Sequence, residues 1–424
     1  MLQSVSGIYV RRVIDDLLDN YIEHLPAIAI EGPKGVGKTA TALQRAAADF
    51  RLDNPGVKEL LEARPELISE SEGTLLLDEL QRYTPSWDLV RRAVDDGAKP
   101  GSYLLTGSAF PPLGSQIHSG AARIDTIRMR PFAVQERSIA QRLVGLIDFF
   151  SGNTDSVQAQ EIDASIEDYA TEVCRSGLPG IMDLPEMLRT RRLDSYIQLL
   201  ATHEFPQLGL NVRNPGALTR WLRAYAMATS QTTSYTEILD SATPGESEKP
   251  SRGAAEAYRN LLEQLMILEP LPAWSPVQAK FPRTIKSPKH HLCDPALAAR
   301  LLGENPRSLL SGDPKQAQLF AQLFESLVVL SVRVAAEALN AKCWHLRTQK
   351  GDREVDVVVE DENQRIVGIE VKVSPVVKDD DVKHLLWLKE TIGPKFAAGV
   401  VVHAGKQLYR RADGIWVVPL AALH

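Results

Sequence analysis

At 424 residues, with 44% hydrophobic and 24% charged residues, the chain has the composition of an ordinary globular protein and is long enough for two to three cores. A formal net charge of −6 excludes a molecule that binds nucleic acid through overall basicity, so any such contact must come from a local patch. Cys174, Cys293 and Cys343 lie far apart without CxxC spacing, which excludes a disulfide framework and suits a reducing cytoplasm.

The segment Met1 to Leu25 mixes charged and apolar residues and holds no signal-peptide core. No run approaches the ~18 apolar residues of a membrane span. A cytoplasmic protein with no membrane partner is therefore expected. Tyr9 to Glu23 reads as an amphipathic helix entered from Arg11-Arg12. It can cover a sheet edge, or offer an arginine to a bound ligand or a neighbouring subunit. Pro26 to Ile30 is a short apolar run of the buried-strand kind.

Gly32-Pro33-Lys34-Gly35-Val36-Gly37-Lys38-Thr39 follows at once and fits GxxxxGK[ST], with helix formers from Ala40 to Ala48 behind it. A strand, a glycine loop and a helix N-terminus make a phosphate cradle, because backbone N–H groups and the helix dipole both favour negative charge there. Gly32 through Ala40 are the expected lining. Lys38 would reach the β/γ-phosphates and the Thr39 hydroxyl would bind Mg²⁺, so ATP and Mg²⁺ are the expected ligands.

Phe50 to Asp53 reads as a strand and Val57 to Leu67 as a helix. Gly73 to Glu79 is a second buried strand that ends in an acidic pair, at the edge where open α/β sheets hold ligands. Asp78 would hold Mg²⁺ and Glu79 would polarise the attacking water. After a helix over Trp87 to Val94, Ser102 to Ser108 repeats the apolar strand with a polar end. Thr106 or Ser108 could sense the γ-phosphate, and Thr-Gly-Ser is equally plain turn chemistry. Of Arg123, Arg128 and Arg130, Arg123 is the first candidate to stabilise transition-state charge, in cis or across a subunit interface.

The order of glycine loop, Leu-Leu-Leu-Asp-Glu-Leu-Gln, Leu-Leu-Thr-Gly-Ser, an arginine and Pro-Phe-Ala-Val-Gln-Glu resembles a family of bacterial and archaeal AAA-type ATPases with an uncharacterised C-terminal region. The resemblance runs nearly end to end. It departs at Ala121-Ala122-Arg123, where relatives usually read Ala-Gly-Arg. It implies an α/β P-loop NTPase domain over residues 1–150 with a parallel sheet. A homo-oligomer is expected too, because AAA-type sites often borrow an arginine from a neighbour.

Residues 151–209 read as a helical linker or lid, in which Cys174 to Gly180 resembles the family's Gly-x-Pro turn. Residues 210–305 give a helix from Pro215, a short one capped by Ser234, a third over Arg252 to Leu265, and then a hairpin. This is a winged-helix layout, whose third helix can enter a major groove. Lys280 to Lys289 holds four cations and no acid, so DNA or RNA is a candidate partner there, beside the reading of a solvated loop.

Residues 306–424 read as a long helix from Leu319 to Leu339, strands over Cys343 to Arg347, Glu354 to Val359 and Arg365 to Val373, a helix over Asp381 to Thr391, and a strand over Phe396 to His403. Period-2 geometry puts Glu370 and Lys372 on one face, and the turn at Glu360 to Gln364 brings Asp356 across from them. Asp356 and Glu370 could then hold Mg²⁺ or Mn²⁺ while Lys372 activates water. This resembles the PD-(D/E)xK core of restriction-endonuclease-like domains, and the resemblance implies Glu325 as a further metal-binding acid. Function is expected to be an ATPase whose nucleotide state controls a nuclease-like module. The alternatives are a slow-turnover switch or toxin–antitoxin-like binding protein on an inactive scaffold, and an ATP-coupled DNA nuclease.

Overall fold

A computed structural model describes residues 9–107, 122–210, 214–242, 251–275 and 283–424. The chain divides into two compact units. The first comprises Met1–Pro131, Leu178–Asp183 and Leu261–Ile267; the second comprises Phe132–Gly177, Leu184–Asn260 and Leu268–His424.

The first unit carries strands β1 (Ala27–Glu31), β2 (Ala48–Arg51), β3 (Leu75–Asp78), β4 (Tyr103–Gly107) and β5 (Asp125–Arg128). Their spatial order is β2-β3-β4-β1-β5 and every pairing is parallel. β3 and β4 are buried along their whole length, as continuous apolar runs in a covered parallel sheet should be. Ala27, Ala29, Leu75, Leu77 and Leu105 pack with Leu61, Trp87 and Val90 of the flanking helices. The order puts β4 between β1 and β3, so the end of β4 stands between the glycine loop and the acidic pair.

The alanine-rich stretch after the loop is not one long helix. The helix Lys38–Leu43 stops early and Ala48 opens β2. The N–H groups of Ala47 and Ala48 donate to the Thr74 carbonyl at 2.8 and 3.4 Å, so a sheet pairing overrides alanine's helical preference.

The second unit holds β6 (Gln160–Glu161), β7 (Lys342–Arg347), β8 (Glu354–Glu360), β9 (Ile366–Lys372), β10 (Phe396–His403), β11 (Gln407–Arg410) and β12 (Trp416–Pro419), in the order β6-β11-β12-β10-β9-β8-β7. β7, β8 and β9 form an antiparallel meander, and β10 lies parallel to both β9 and β12. With the helices Pro314–Ala338 and Asp379–Ile392 this reproduces the expected helix and strand order. Pro314–Ala338 is also long and apolar enough to cross a membrane by length and composition, although no uninterrupted apolar run marks it. Its most apolar window is 78% buried inside the protein.

The domain borders differ from those drawn at 150, 209 and 305. Residues 132–177 belong with the C-terminal sheet, to which they are tied by backbone pairing. Gln141 N–H donates to Ala421 O at 2.7 Å, Leu143 N–H donates to Ala422 O at 2.8 Å, and β6 pairs with β11. Phe149, 2% exposed, sits with its ring centroid 6.1 Å from that of Trp416.

The helices Pro215–Met227, Tyr235–Ser241 and Arg252–Gln264 fall where expected, and Ser234 caps the second of them by accepting from Glu237 N–H. Antiparallel bridges then join Leu268 to Leu292 and Leu271 to Lys289. Lys280 to Pro282 lie outside the described residues. Arg259, on the third helix, stacks its guanidinium 4.6 Å from the Tyr235 ring centroid.

Candidate functional site

The glycine loop turns between β1 and Lys38–Leu43 by left-handed backbone at Gly35 (φ 84°) and Gly37 (φ 104°). Such angles are open to glycine at little cost. Gly32 is required for a different reason. A Cβ there would stand 2.1 Å from the Met129 carbonyl oxygen. The Lys38 ammonium donates to the carbonyls of Gly32 at 2.8 Å and Pro33 at 3.1 Å, inside the loop it would leave for a phosphate.

Thr39 Oγ1 donates to Asp78 Oδ1 at 2.7 Å, and the hydroxyl of Thr106 donates to the same oxygen. Three strand ends thus meet. β1 leads into the loop that carries Thr39, β3 ends at Asp78, and β4 supplies Thr106. Thr106 is 1% exposed and Asp78 7%, so the carboxylate is held in place by two hydroxyls in a sheltered pocket. Thr106 therefore anchors Asp78 rather than making a surface turn. Ser108, and Ala121 of the motif ahead of Arg123, lie outside the described residues. Glu79 follows Asp78 in left-handed backbone at φ 60°, ψ 49°, and its carboxylate accepts from the Gln81 amide. A hydroxyl and a carboxylate in hydrogen-bond contact beside a glycine loop are the hard oxygen donors Mg²⁺ prefers. The residues present fit the ion and a bound triphosphate.

Arg123 does not join them. The register of β5 against β1 runs from Ile28 opposite Asp125 to Glu31 opposite Arg128. Arg123 thus precedes the start of β5, at the end of the sheet away from the loop, and its Nε lies 2.9 Å from Asp95 Oδ1. In cis, the expectation for Arg123 is corrected by this placement. Arg128, at the other end of β5, pairs with Glu31 at 3.1 Å.

Sequence reasoning did not find the role of Arg12. Its guanidinium is 4% exposed and donates to Val36 O at 3.1 Å and Arg130 O at 2.8 Å, fixing the glycine loop to the segment after β5. Asp15, fully buried, accepts from Tyr9 Oη at 2.7 Å and pairs with Arg45 at 2.8 Å. Tyr9 Oη also lies 3.0 Å from Thr41 Oγ1 on the loop's helix. Burial pushes the Tyr9 phenol up to about 12, so the hydroxyl keeps the proton it donates to Asp15.

In the second unit the expected acids also come together, around a residue that sequence alone did not place there. Lys289, 2% exposed, sets its Nζ 2.9 Å from Glu325 Oε1, 2.8 Å from Asp356 Oδ1 and 3.1 Å from Glu354 Oε1. The second Asp356 oxygen accepts from Val371 N–H at 2.9 Å. Lys372 Nζ reaches Glu370 Oε2 at 3.3 Å. Among the described residues no three or more His, Cys, Asp or Glu side chains form a group able to hold a metal ion. Where a metal ion is expected beside Glu325 and Asp356, this structure sets the Lys289 ammonium against both carboxyl groups. Lys289 is likewise removed from the basic loop in which it was read, leaving Arg283 and Lys286 exposed there.

Burial disfavours charge on all of these groups, and the pairings decide which way each one moves. Burial would raise the Asp356 carboxyl, but Lys289 and Lys372 more than reverse it and hold it below the usual carboxylate range. Burial raises Glu370 well above its ordinary value, and Asp356 adds to the effect. Glu325 is pushed up to about 8 by burial, against the pull of Lys289. A carboxyl raised on folding stabilises fully below its unfolded value of 4.5, and that contribution is lost as pH rises through about 8. Buried histidines such as His290, His291 and His345, lowered by burial, act in the opposite sense, so the check is the parent-minus-variant difference in urea unfolding: the stability that Glu325→Gln removes should shrink as pH rises across this window.

Three family models match the chain: an AAA domain over residues 24–138, and two domains of unknown function, DUF8612 over 166–308 and DUF4143 over 320–423. Two relatives, the uncharacterized proteins Rv2008c of Mycobacterium tuberculosis and Mb2031c of Mycobacterium bovis, are each 27% identical over 411 residues. The match covers 94% of this chain and 81% of each relative. Among solved structures, the Walker-type ATPase PABY2304 of Pyrococcus abyssi aligns at 17% identity and a TM-score of 0.38, over 71% of this chain and 99% of that one. A DNA polymerase III gamma subunit-related protein of Thermotoga maritima aligns at 14% identity and a TM-score of 0.23, over 59% and 98%. The segment that matches the AAA domain, residues 24–138, is the one that carries the glycine loop and the parallel sheet, as a P-loop ATPase domain would.

Proposed function

We propose that this chain is a Mg²⁺-dependent ATPase whose nucleotide state sets the arrangement of its C-terminal unit. The observation that carries this reading is the meeting of Thr39, Asp78 and Thr106 beside the Lys38 ammonium. In this reading Thr39 and Asp78 hold Mg²⁺, which when bound neutralises charge on the phosphate oxygens. Lys38 leaves the Gly32 and Pro33 carbonyls for the β/γ-phosphates, and Glu79 orients the attacking water. Thr106 ties β4 to Asp78, so that a change at the carboxylate is passed into the sheet.

The position of Arg123 at the far end of its own sheet leaves it that role only across a subunit interface, with Arg128 at the loop end as the candidate in cis, and a homo-oligomer is part of the proposal. Nucleic acid as the partner of residues 210–424 rests on the three-helix order and the exposed Arg283 and Lys286. Titration with a fluorescent ATP analogue tests the core of the reading. Lys38→Ala should lose nucleotide binding while keeping the circular dichroism of the parent, and unchanged binding would refute it. Phosphate release measured with and without DNA or RNA then tests the coupling.

A further inference from the structure

The carboxylates of the second unit are arranged as though around a cation, and the cation is part of the chain. An ammonium has three N–H donors and no acceptor. Lys289 presents them to Glu325, Asp356 and Glu354, at 2.9, 2.8 and 3.1 Å. These acids come from separate elements: Glu325 from the helix Pro314–Ala338, and Glu354 and Asp356 from one face of β8. Across the sheet, continuing the register that sets Val357 opposite Ile369 brings Glu370 opposite Asp356. Glu370 is 5% exposed, and its Oε1 is buried without a hydrogen-bond partner. Its other oxygen lies 3.3 Å from Lys372 Nζ, so the centre holds an acid that is paired from one side only and not by Lys289.

Lys289 is also fixed from behind. Its N–H donates to Leu271 O at 2.9 Å and its carbonyl accepts from Leu271 N–H at 2.8 Å. The flanking His290 and His291 are each 1% exposed. A buried stem anchored on both backbone sides holds the ammonium at one point, unlike a surface lysine that swings in from solvent.

We propose that Lys289 stands where a divalent cation would bind and closes this centre to such ions. Removing its ammonium converts Glu325, Asp356 and Glu370 into a site for a hard divalent cation of the Mg²⁺ or Mn²⁺ class. Carboxylate oxygens suit such ions, and a buried group of acids without a counter-charge is strongly disfavoured. At this centre the Lys289 ammonium occupies the point between Glu325 and Asp356 where a metal ion would have to sit, so residue 289 decides between the two. The proposal does not depend on the ATPase reading.

The test is Mn²⁺ binding by the full-length chain, read from the loss of the free-ion electron paramagnetic resonance signal. It is done without nucleotide and in the Asp78→Asn background, so that the first unit contributes no carboxylate site. The parent should show no Mn²⁺ binding that depends on Asp356. Lys289→Met, which keeps the buried stem, and Lys289→Ala should each gain one tightly bound Mn²⁺ per chain, and their melting temperatures should rise with added Mn²⁺. Adding Asp356→Asn should abolish both gains, and Lys289→Arg should stay closed. A variant that folds only when Mn²⁺ is present also supports the proposal. It is overturned if the parent binds Mn²⁺ in a way lost with Asp356→Asn, or if neither Lys289→Met nor Lys289→Ala gains an ion.

Discussion

Glu79→Gln is expected to bind ATP as the parent does and to release phosphate about 10²- to 10⁴-fold more slowly, the range set by losing a positioned general base. The two assays separate cleanly because the substitution is isosteric and leaves Thr39, Asp78 and Thr106 untouched. Glu79 is held in left-handed backbone at φ 60°, which costs a non-glycine residue roughly 1–2 kcal/mol. A chain that needed only a turn after β3 would do better with glycine. Glu79→Gly should therefore be more stable by about 1 kcal/mol in chemical unfolding, and as inactive as Glu79→Gln. Stability gained together with turnover lost is the signature of strain kept for function. Normal turnover in Glu79→Gln would remove Glu79 from the chemistry.

The glycine loop was legible because its chemistry is local. Gly32, Gly35, Gly37, Lys38 and Thr39 are neighbours in sequence, and their spacing alone encodes the turn. The strand ending at Asp78 was legible for the same reason, an apolar run closed by acids. The long helix and meander of the C-terminal unit followed from periodicity, including the pairing that sets Asp356 against Glu370. Ala122 adopts φ 62°, the left-handed angle glycine takes freely, at the position where the resemblance implies glycine.

What was not legible is carried by long-range contacts. Lys289 reads as one more cation in a basic loop, and only the fold brings it to Glu325 and Asp356, 36 and 67 residues further on. Arg12 gives no sign that its guanidinium serves the carbonyls of Val36 and Arg130. The end of the loop's helix was misjudged because alanine favours a helix, whereas the pairing of Ala47 and Ala48 to Thr74 is decided by a strand laid beside them. Residues 132–177 look like the tail of the ATPase domain followed by a linker. Their apolar members Leu146, Phe149 and Phe150 are instead buried in the C-terminal unit, an attachment that no local pattern reveals.

Gly32→Ala is expected to abolish nucleotide binding, whereas Gly35→Ala keeps it. Both glycines lie in the same loop, so composition alone predicts similar effects. At Gly35 a methyl group meets nothing within 4 Å, and the only penalty is the left-handed φ of 84°, roughly 1–2 kcal/mol of stability. At Gly32 the methyl group would stand 2.1 Å from Met129 O and 3.1 Å from Met129 C, and both atoms are backbone. Arg12 holds this wall from the other side through Arg130 O, so the segment after β5 cannot retreat without breaking that hydrogen bond. The loop must move instead, and the Gly32 carbonyl that positions Lys38 moves with it. ATP titrations and thermal melts on the two variants distinguish the causes. Loss of binding confined to Gly32→Ala locates the constraint in the wall formed by Met129. Equal loss in both would mean that the ligand's own approach to the backbone sets the limit, since Gly35 has open space around it.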